Sequence, residues 1–220
     1  MEDREEKQRK DGEPRLARND RTEEARNDSA EENEKLRIAQ ELVEKGNSAW
    51  VKGQILDAIQ SFESVLEIYS ELGRMQEMAN VLEKLGDIYY LKRNFEKALR
   101  AYKACLDICE NFEDEISTCI IAEKIAYVLR DKGEYERCLP YFYRILEIAE
   151  KYKDPHRAGR ALAGIGECCL KLNRFEQAKD ALQLALKIFK GMGAIEQTKV
   201  LEAALERLEK GVDNPPLDSE

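Results

Sequence analysis

The chain has 220 residues, of which 37% are charged and 43% are hydrophobic, and its formal net charge is −9. An acidic chain argues against nonspecific nucleic-acid binding, which relies on lysine and arginine to neutralise phosphates, and against docking on anionic lipids. No apolar run approaches the ~20 residues that span a bilayer, and the first ten residues lack the apolar core of a secretory signal peptide. We therefore expect a cytoplasmic protein with reduced cysteines, no nucleic-acid partner and no membrane insertion.

The first 30 residues form a charged arm. They contain eight Lys or Arg and ten Asp or Glu residues, and Leu16 is their only large apolar residue besides Met1. Such a segment cannot bury enough apolar surface to offset the entropy lost on ordering. We predict that residues 1–30 are disordered or transiently helical.

The next part of the chain repeats at a fixed interval of 40 residues. The columns that recur are leucine (Leu66, Leu106, Leu146, Leu186), isoleucine (Ile68, Ile108, Ile148, Ile188) and two of small residues (Ala58, Ala98, Cys138, Ala178; Gly46, Gly86, Ala126, Gly166). Self-similarity at a fixed period indicates stacked copies of one supersecondary unit. We predict that residues 31–192 hold four repeats, at about 39–74, 75–114, 115–154 and 155–192.

Each repeat contains two stretches of helical periodicity. In the second repeat they run from about Met75 to Lys92 and from about Phe95 to Asn111. The short turn between them forces the two helices to lie antiparallel, and Asn94 is placed to cap the second helix. The equivalent turns of the other repeats contain residues suited to a turn: Gly53, Gly133 and Asn173. The small columns predict close packing between the two helices of a pair.

Three further features concern the C-terminal half of the chain. Pro140 falls inside the second helix of the third repeat, where proline removes a hydrogen bond, so we expect a kink or a late helix start. Residues 193–211 form one more amphipathic helix, which we predict caps the last pair and stops at Gly211. Residues 212–220 contain two prolines and are predicted to be a flexible tail.

The sequence contains no pattern typical of catalysis or cofactor binding. Its one histidine, His156, stands beside Pro155 with no sign of an orienting partner, so we interpret it as a surface residue at a helix start. The cysteines lack paired zinc knuckles, and we interpret them as small buried hydrophobic residues: Cys105, Cys109, Cys119, Cys138, Cys168 and Cys169. No glycine-rich phosphate loop is present. We predict that the protein is not an enzyme and holds no metal or cofactor.

The repeat columns resemble the tetratricopeptide repeat (TPR) motif. Its spacing is matched in the second repeat by Leu82, Leu85-Gly86, Tyr89, Ala98 and Tyr102. The resemblance covers about residues 39–192, with repeats of 40 residues in place of the common 34. It implies an all-α, right-handed superhelical solenoid of four helical hairpins plus the C-terminal capping helix. The longer repeat is similar to those of spindle-orientation adaptors, kinesin light chains and ciliary proteins such as subunits of the outer dynein arm docking complex.

This resemblance implies a noncatalytic scaffold or adaptor that binds a partner segment in a concave groove lined by the first helix of each pair. The residues it assigns to the groove are Asn47, Trp50, Glu83, Asp87, Tyr90, Glu123, Tyr127, Arg130 and Glu167. Several are acidic and three are aromatic, so the partner expected is a basic peptide or helix anchored on the aromatic rings. The alternative is a solvated helix face whose aromatic residues pack between repeats.

Other functions remain open at this stage. A co-chaperone module would grip a C-terminal carboxylate with a Lys/Asn/Arg clamp, but only Asn47 fits, because Val43 and Ile120 stand where lysine is needed. A regulatory subunit of an enzyme and a self-assembling rod are further alternatives. A cytoskeletal or ciliary location follows from the resemblance alone, and the oligomeric state is left open.

Overall fold

The fold of the chain is given by a computed structural model, which describes the backbone of residues 15–210 and the side chains of residues 29–210. Within these residues all the regular secondary structure is helical, which confirms the predicted all-α class. The helices are α1 (Arg15–Val51), α2 (Ile55–Glu71), α3 (Met75–Leu91), α4 (Phe95–Asn111), α5 (Glu115–Asp131), α6 (Tyr135–Lys151), α7 (Pro155–Lys171), α8 (Phe175–Met192) and α9 (Ile195–Glu209).

The helices from α2 onward begin at intervals of 20 residues, so each 40-residue repeat holds two helices of nearly equal length. The turns share one backbone feature at the same interval, a residue with positive φ. These residues are Gly53, Gly73, Arg93, Glu113, Gly133, Lys153, Asn173 and Gly193. Glycine adopts this conformation without steric cost, whereas other residues incur some strain. The eight turns therefore share one backbone conformation, and four of them adopt it at a residue other than glycine.

Side-chain caps fix the start of three helices. Asn94 accepts a hydrogen bond from the Lys97 backbone N–H at 3.3 Å, which confirms the predicted cap of α4. Asp114 and Asp154 cap α5 and α7 in the same way, each at 3.0 Å. Each cap satisfies one of the N–H groups that a helix leaves unpaired in its first turn.

The chain divides into two compact units, residues 1–74 and 75–220. In the first unit α1 packs against α2. A Cβ on Gly46 would lie 2.8 Å from Cε1 of Phe62, which is closer than real Cβ contacts come. The glycine therefore lets the Phe62 ring seat against α1, as the small column predicted.

In the second unit every helix packs against the next helix along the chain, from α3 to α9. The glycine column again receives a large side chain of the partner helix. A Cβ on Gly86 would lie 2.4 Å from the Tyr102 ring, and one on Gly166 would lie 2.6 Å from Leu182. Because these positions have no side chain, the two helices of each pair approach closely.

The third hairpin departs from this pattern. Its column residue is Ala126, and the Phe142 ring instead meets Gly164 of α7, where an added Cβ would lie 2.5 Å away. The glycine that makes room for this ring therefore belongs to the next hairpin along the chain and not to the same hairpin.

Helix α9 covers the last hairpin. Leu201 and Leu205 are buried in one cluster with Leu162, Leu182 and Phe189. Burial of apolar side chains against the hairpin is the role expected of a capping helix.

The N-terminal arm differs from the prediction. Helix α1 begins at Arg15, so residues 15–30 are helical. Residues 15–45 contain no glycine or proline and are rich in Glu, Lys, Arg and Ala, which have high helix propensity. Extending α1 into the charged segment therefore costs little free energy, because adding residues to an existing helix is easier than starting one. The predictions for residues 1–14, for Gly211 and for residues 212–220 lie outside the described residues.

The predicted late start of the third repeat's second helix is wrong. Helix α6 begins at Tyr135 and continues through Pro140. The first turn contains a tighter hydrogen bond, from the Arg137 N–H to the Glu134 carbonyl, three residues back, at 3.0 Å. Pro140 is exposed, so water can serve the carbonyl that the proline leaves without a donor.

Candidate partner-binding surface

The residues assigned to the groove fall into two groups. Asn47 and Trp50 are half-buried residues of α1, in the first unit. The others lie on α3, α5 and α7 of the second unit, at positions that recur every 40 residues, and we call their surface the first-helix face. It comprises Glu83, Asp87, Tyr90, Glu123, Tyr127, Arg130 and Glu167.

An ion-pair network joins α3 to α5 on this face. The Lys124 ammonium lies 2.7 Å from Glu83 and 2.6 Å and 2.8 Å from the two oxygens of Asp87. The hydroxyl of buried Tyr102 donates to Asp87 at 2.6 Å. Burial disfavours the charged ammonium, but the hydrogen bonds to Asp87 and Glu83 outweigh it, so the pKa of Lys124 is raised. Burial, and then the bond to Asp87, also raises the pKa of Tyr102 far above its usual value.

A second network joins α5 to α7. The Arg160 guanidinium lies 2.5 Å from Glu123 and donates to the Tyr127 hydroxyl at 2.5 Å, while that hydroxyl donates to Glu123 at 2.7 Å. Arg130 lies over the Tyr127 ring and donates to Glu167 at 3.4 Å. Burial, followed by the bond to Glu123, raises the pKa of Tyr127.

A third contact joins α3 to the end of α5. The Tyr90 hydroxyl donates to Asp131 at 2.8 Å, and the Arg93 guanidinium lies 3.7 Å from the same carboxylate. Burial, and then the hydrogen bond to Asp131, raises the pKa of Tyr90.

The acidic residues of the first-helix face are therefore ion-paired rather than free. Asp87, Glu123 and Glu167 each have a cationic partner 37 residues away in the sequence, on a neighbouring first helix. The sequence interpretation did not include Lys124 in this surface. The sequence does contain a pattern that indicates it: Lys124 follows Asp87 by 37 residues, and Arg160 follows Glu123 by the same number.

Among the side chains of residues 29–210 no comparable network joins α7 to α9, and a cavity of about 580 Å³ opens there. At the position of Glu123 in α5, helix α7 has Ala163, which does not fill the space, whereas Gly164, at the position of Lys124, packs against the Phe142 ring. We call it the α7–α9 cavity. Its lining includes the apolar residues Phe142, Leu170, Leu182, Phe189, Val200, Leu201 and Ala204 and the polar residues Tyr127, Arg130, Arg160, Glu167, Glu196 and Gln197.

The α7–α9 cavity brings together three of the predicted residues, Tyr127, Arg130 and Glu167, at its rim. The sequence interpretation missed the cavity because it treated α9 only as a cap. A second, smaller cavity of about 220 Å³ lies among α3, α4 and α5 and is lined in part by Asn80, Glu83 and Ile120.

The residues considered for chemistry are the six cysteines and His156. All six cysteines are free thiols and are buried, as predicted. Burial raises the pKa of the Cys105 thiol well above its usual value, which disfavours the reactive thiolate. His156 is exposed at the start of α7, and its ring meets the edge of Phe189 with 6.1 Å between ring centres.

Neither a metal site nor a membrane-spanning helix is found in the part of the chain that the structure describes. Among the side chains of residues 29–210, no group of three or more His, Cys, Asp and Glu is placed to hold a metal ion. None of the helices between residues 15 and 210 combines the length and apolar character needed to cross a membrane.

Two family models match the chain. The model described as "Tetratricopeptide repeat" matches residues 117–191, and the model described as "Soluble NSF attachment protein, SNAP" matches residues 21–148. The chain belongs to the tetratricopeptide repeat family. Because the SNAP match covers more than half of the chain, the chain also belongs to the SNAP family. The TPR family indicated by the motif residues is thereby confirmed.

Solved structures show the same fold. The apo form of RapI matches with 23% identity and a TM-score of 0.65, over 77% of this chain and 64% of that chain. A Rap protein complexed with Competence and Sporulation Factor matches with 19% identity and a TM-score of 0.54, over 78% and 48%. A putative kinesin light chain from Podosopora anserina with nearly identical TPR-like repeats matches with 11% identity and a TM-score of 0.56, over 80% and 97%.

The two Rap chains are longer than the match, since this TPR chain spans less than two thirds of either. At these identities the likeness concerns the fold. Among curated protein sequences, none matches the chain.

Proposed function

We propose that this TPR protein is a noncatalytic adaptor that binds a segment of a partner protein on the first-helix face of its second unit. The observation that carries the proposal is the α7–α9 cavity, an apolar recess that opens onto this face beside Tyr127, Arg130 and Glu167. Recesses that combine an apolar lining with a few polar groups at the rim are typical of binding sites. One of the Rap structures, complexed with Competence and Sporulation Factor, shows that a protein of this fold holds a ligand.

The ion-pair networks support a rigid binding surface. Lys124 ties α5 to α3 and Arg160 ties α7 to α5, so partner contacts meet a surface that is ordered before binding. A preformed surface loses less conformational entropy on association than a flexible one. The aromatic rings of Tyr90 and Tyr127 supply the anchor type that is enriched at protein interfaces.

The finer predictions stay part of this proposal. A cytoskeletal or ciliary setting rests on the repeat resemblance, and a regulatory subunit of an enzyme is the second candidate. Asn47 and Trp50 lie in the first unit and remain a separate prediction for partner contact. The basic partner expected from the sequence is the least supported, because the acids that would attract it already have cationic partners.

The test is co-purification with the full chain as bait, followed by identification of the bound proteins. Asn80→Arg with Ile120→Arg places bulky charges at equivalent positions of α3 and α5 without breaking an ion pair among the described residues. A matched control carries Gln183→Arg with Tyr143→Arg on the exposed faces of α8 and α6.

We expect the control to retain the partners of the unmodified chain and the first-helix variant to lose them. Loss of the partners from the control alone, or the same partners on both variants and on Ala163→Leu, which fills the α7–α9 cavity, would place binding on another surface and refute the proposal. Circular dichroism and thermal melting of each variant check that both pairs of substitutions leave the fold intact.

A further inference from the structure

The first-helix face changes character between its two ends. From α3 to α7 its clefts are filled by charged side chains that bond one another, as Lys124 does with Glu83 and Asp87. Between α7 and α9 the corresponding residues are small, with Ala163 and Gly164 on one side and Ala204 on the other. An incoming side chain therefore meets mostly bonded charged groups and a small cavity of about 220 Å³ over α3 and α5, and a larger recess of about 580 Å³ at the α7–α9 cavity.

The recess is suited to a large apolar group. Phe142, Leu182, Phe189 and Leu201 are buried residues that line it, so its interior offers aromatic and aliphatic contacts. Val200 on α9 leaves 68% of its area exposed at the rim. Covering this surface with an apolar side chain removes apolar area from water, which favours binding.

Arg160, at the rim, has N–H donors that no described side chain accepts. Arg160 carries five N–H donors, and its contacts with described side chains, to Tyr127 and Glu123, both use the Nη2 nitrogen. Its Nε and Nη1 donors therefore have no acceptor among the described side chains. Glu123, in contrast, already receives bonds from Tyr127 and Arg160.

The carboxylates at the rim also have cations nearby, although the exposed pair of Glu196 is weak. Glu167 receives the Arg130 guanidinium, and Glu196 lies 3.6 Å from the Lys199 ammonium. A lysine of a partner would have to compete with these cations, whereas a carboxylate meets donors of Arg160 that are still free to bond. Guanidinium groups bind carboxylates with two parallel hydrogen bonds where the geometry allows.

We propose that the α7–α9 cavity takes a large apolar side chain of a partner protein segment, and that an acidic residue next to it binds Arg160. The proposal rests on the adaptor function above and specifies its partner as acidic and apolar rather than basic. The apolar group supplies the buried contact, and the acidic group selects among apolar segments through its bond to Arg160.

Four short fluorescein-labelled peptides test it by fluorescence anisotropy on the full chain. The first carries Leu-Phe flanked by Glu, the second carries Leu-Phe flanked by Lys, and the third carries Leu-Phe flanked by Gln. The fourth keeps the Glu residues and replaces Leu-Phe with Ala-Ala. We expect the first to bind at least about tenfold more tightly than the second and the fourth, with the third between them.

Three variants locate the binding. Ala163→Leu fills the cavity and should weaken the first peptide at least about tenfold, whereas Ala203→Leu, at an exposed position of α9 outside the cavity, should leave it unchanged. Arg160→Gln should remove the preference for Glu over Gln while the apolar contribution remains. Val200→Glu, on the exposed rim, should weaken the Glu peptide and strengthen the Lys peptide, and it tests the site even where Ala163→Leu disturbs folding.

The inference is overturned by equal or tighter binding of the Lys peptide, by unchanged affinity in both Ala163→Leu and Val200→Glu, or by no measurable binding of any peptide. Its failure is distinct from that of the adaptor function. Partners that are lost on Asn80→Arg with Ile120→Arg but kept on Ala163→Leu would support the first-helix face and exclude the cavity.

Discussion

Replacing Lys124 with methionine tests whether the ion-pair network holds the second unit together. The Lys124 ammonium contacts Asp87 and Glu83 and lies 5.7 Å from the centre of the Tyr102 ring. Methionine keeps an unbranched side chain of similar reach over Tyr102, so the substitution removes the charge and its hydrogen bonds while sparing most of the packing.

The magnitude follows from burial. Hydrogen bonds to charged groups contribute about 1.5–3 kcal/mol each, and removing one member of a fully buried ion pair costs about 3–5 kcal/mol. The side chains here are 26% exposed for Lys124, 35% for Glu83 and 42% for Asp87, so water screens part of the interaction. We expect Lys124→Met to lower the free energy of unfolding by about 1–3 kcal/mol.

Urea denaturation followed by circular dichroism measures this loss in a double-mutant cycle. The cycle compares the unmodified chain, Lys124→Met, Asp87→Asn and the double variant, and the two substitutions should couple by about 1 kcal/mol or more. The control is Lys103→Met on α4, because half-buried Lys103 forms no ion pair with a described residue. Its midpoint should move little.

The pH dependence has a definite sign. The pKa of Lys124 is raised in the folded protein, so its contribution is fully present below the unfolded pKa of about 10.4 and is lost as pH rises through the folded value. The difference between the unmodified chain and Lys124→Met should therefore disappear at strongly alkaline pH. Equal midpoints at neutral pH, or strictly additive substitutions, would refute the claim that this network stabilises the unit.

Three further predictions concern backbone and packing, and urea denaturation measures each. Gly86→Ala should lower the free energy of unfolding by about 1–2 kcal/mol because its Cβ would lie 2.4 Å from the Tyr102 ring. The control is Gly191→Ala inside α8, whose Cβ meets open space and which should raise the free energy of unfolding by up to about 1 kcal/mol. A gain in stability from both substitutions would contradict the close packing at Gly86. Lys153→Gly should raise it by about 0.5–1 kcal/mol by relieving a φ of 53°, and a loss would show that this turn is unstrained. Asp114→Ala should cost about 1 kcal/mol at neutral pH through loss of the α5 cap. Hydrogen bonds from the capped turn lower the pKa of Asp114, so this cost should fade as pH drops below about 4, and a cost independent of pH would contradict it.

The sequence determined the helices because their signals are local. Helical periodicity, the Asn94 cap and the 40-residue columns depend on neighbours along the chain, and α3 and α4 were predicted to within one residue. The small columns also carried information on tertiary packing, since Gly46 and Gly86 each face one large side chain of the paired helix. Within the second unit each helix packs against the next along the chain, an arrangement that places few demands on long-range information.

The surface could not be derived in the same way. The sequence showed acidic residues on the first-helix face, but whether an acid is free depends on which cation the next hairpin brings within reach. The structure brings Lys124 onto Asp87 and Arg160 onto Glu123, so charges that looked available are internally bonded. Periodicity alone gives the face of a helix on which a residue lies and not the partner opposite it.

The α7–α9 cavity shows most clearly the difference between what local sequence determines and what the tertiary structure decides. Ala163 and Gly164 are visible in the sequence as small residues, yet an empty volume exists only when the walls on all sides are in place. Local periodicity determined that α9 is an amphipathic helix, whereas its packing against α8 decided that a recess remains between α9 and α7. Helices follow from interactions between near neighbours in the chain, but cavities and ion pairs arise from residues that only folding brings together.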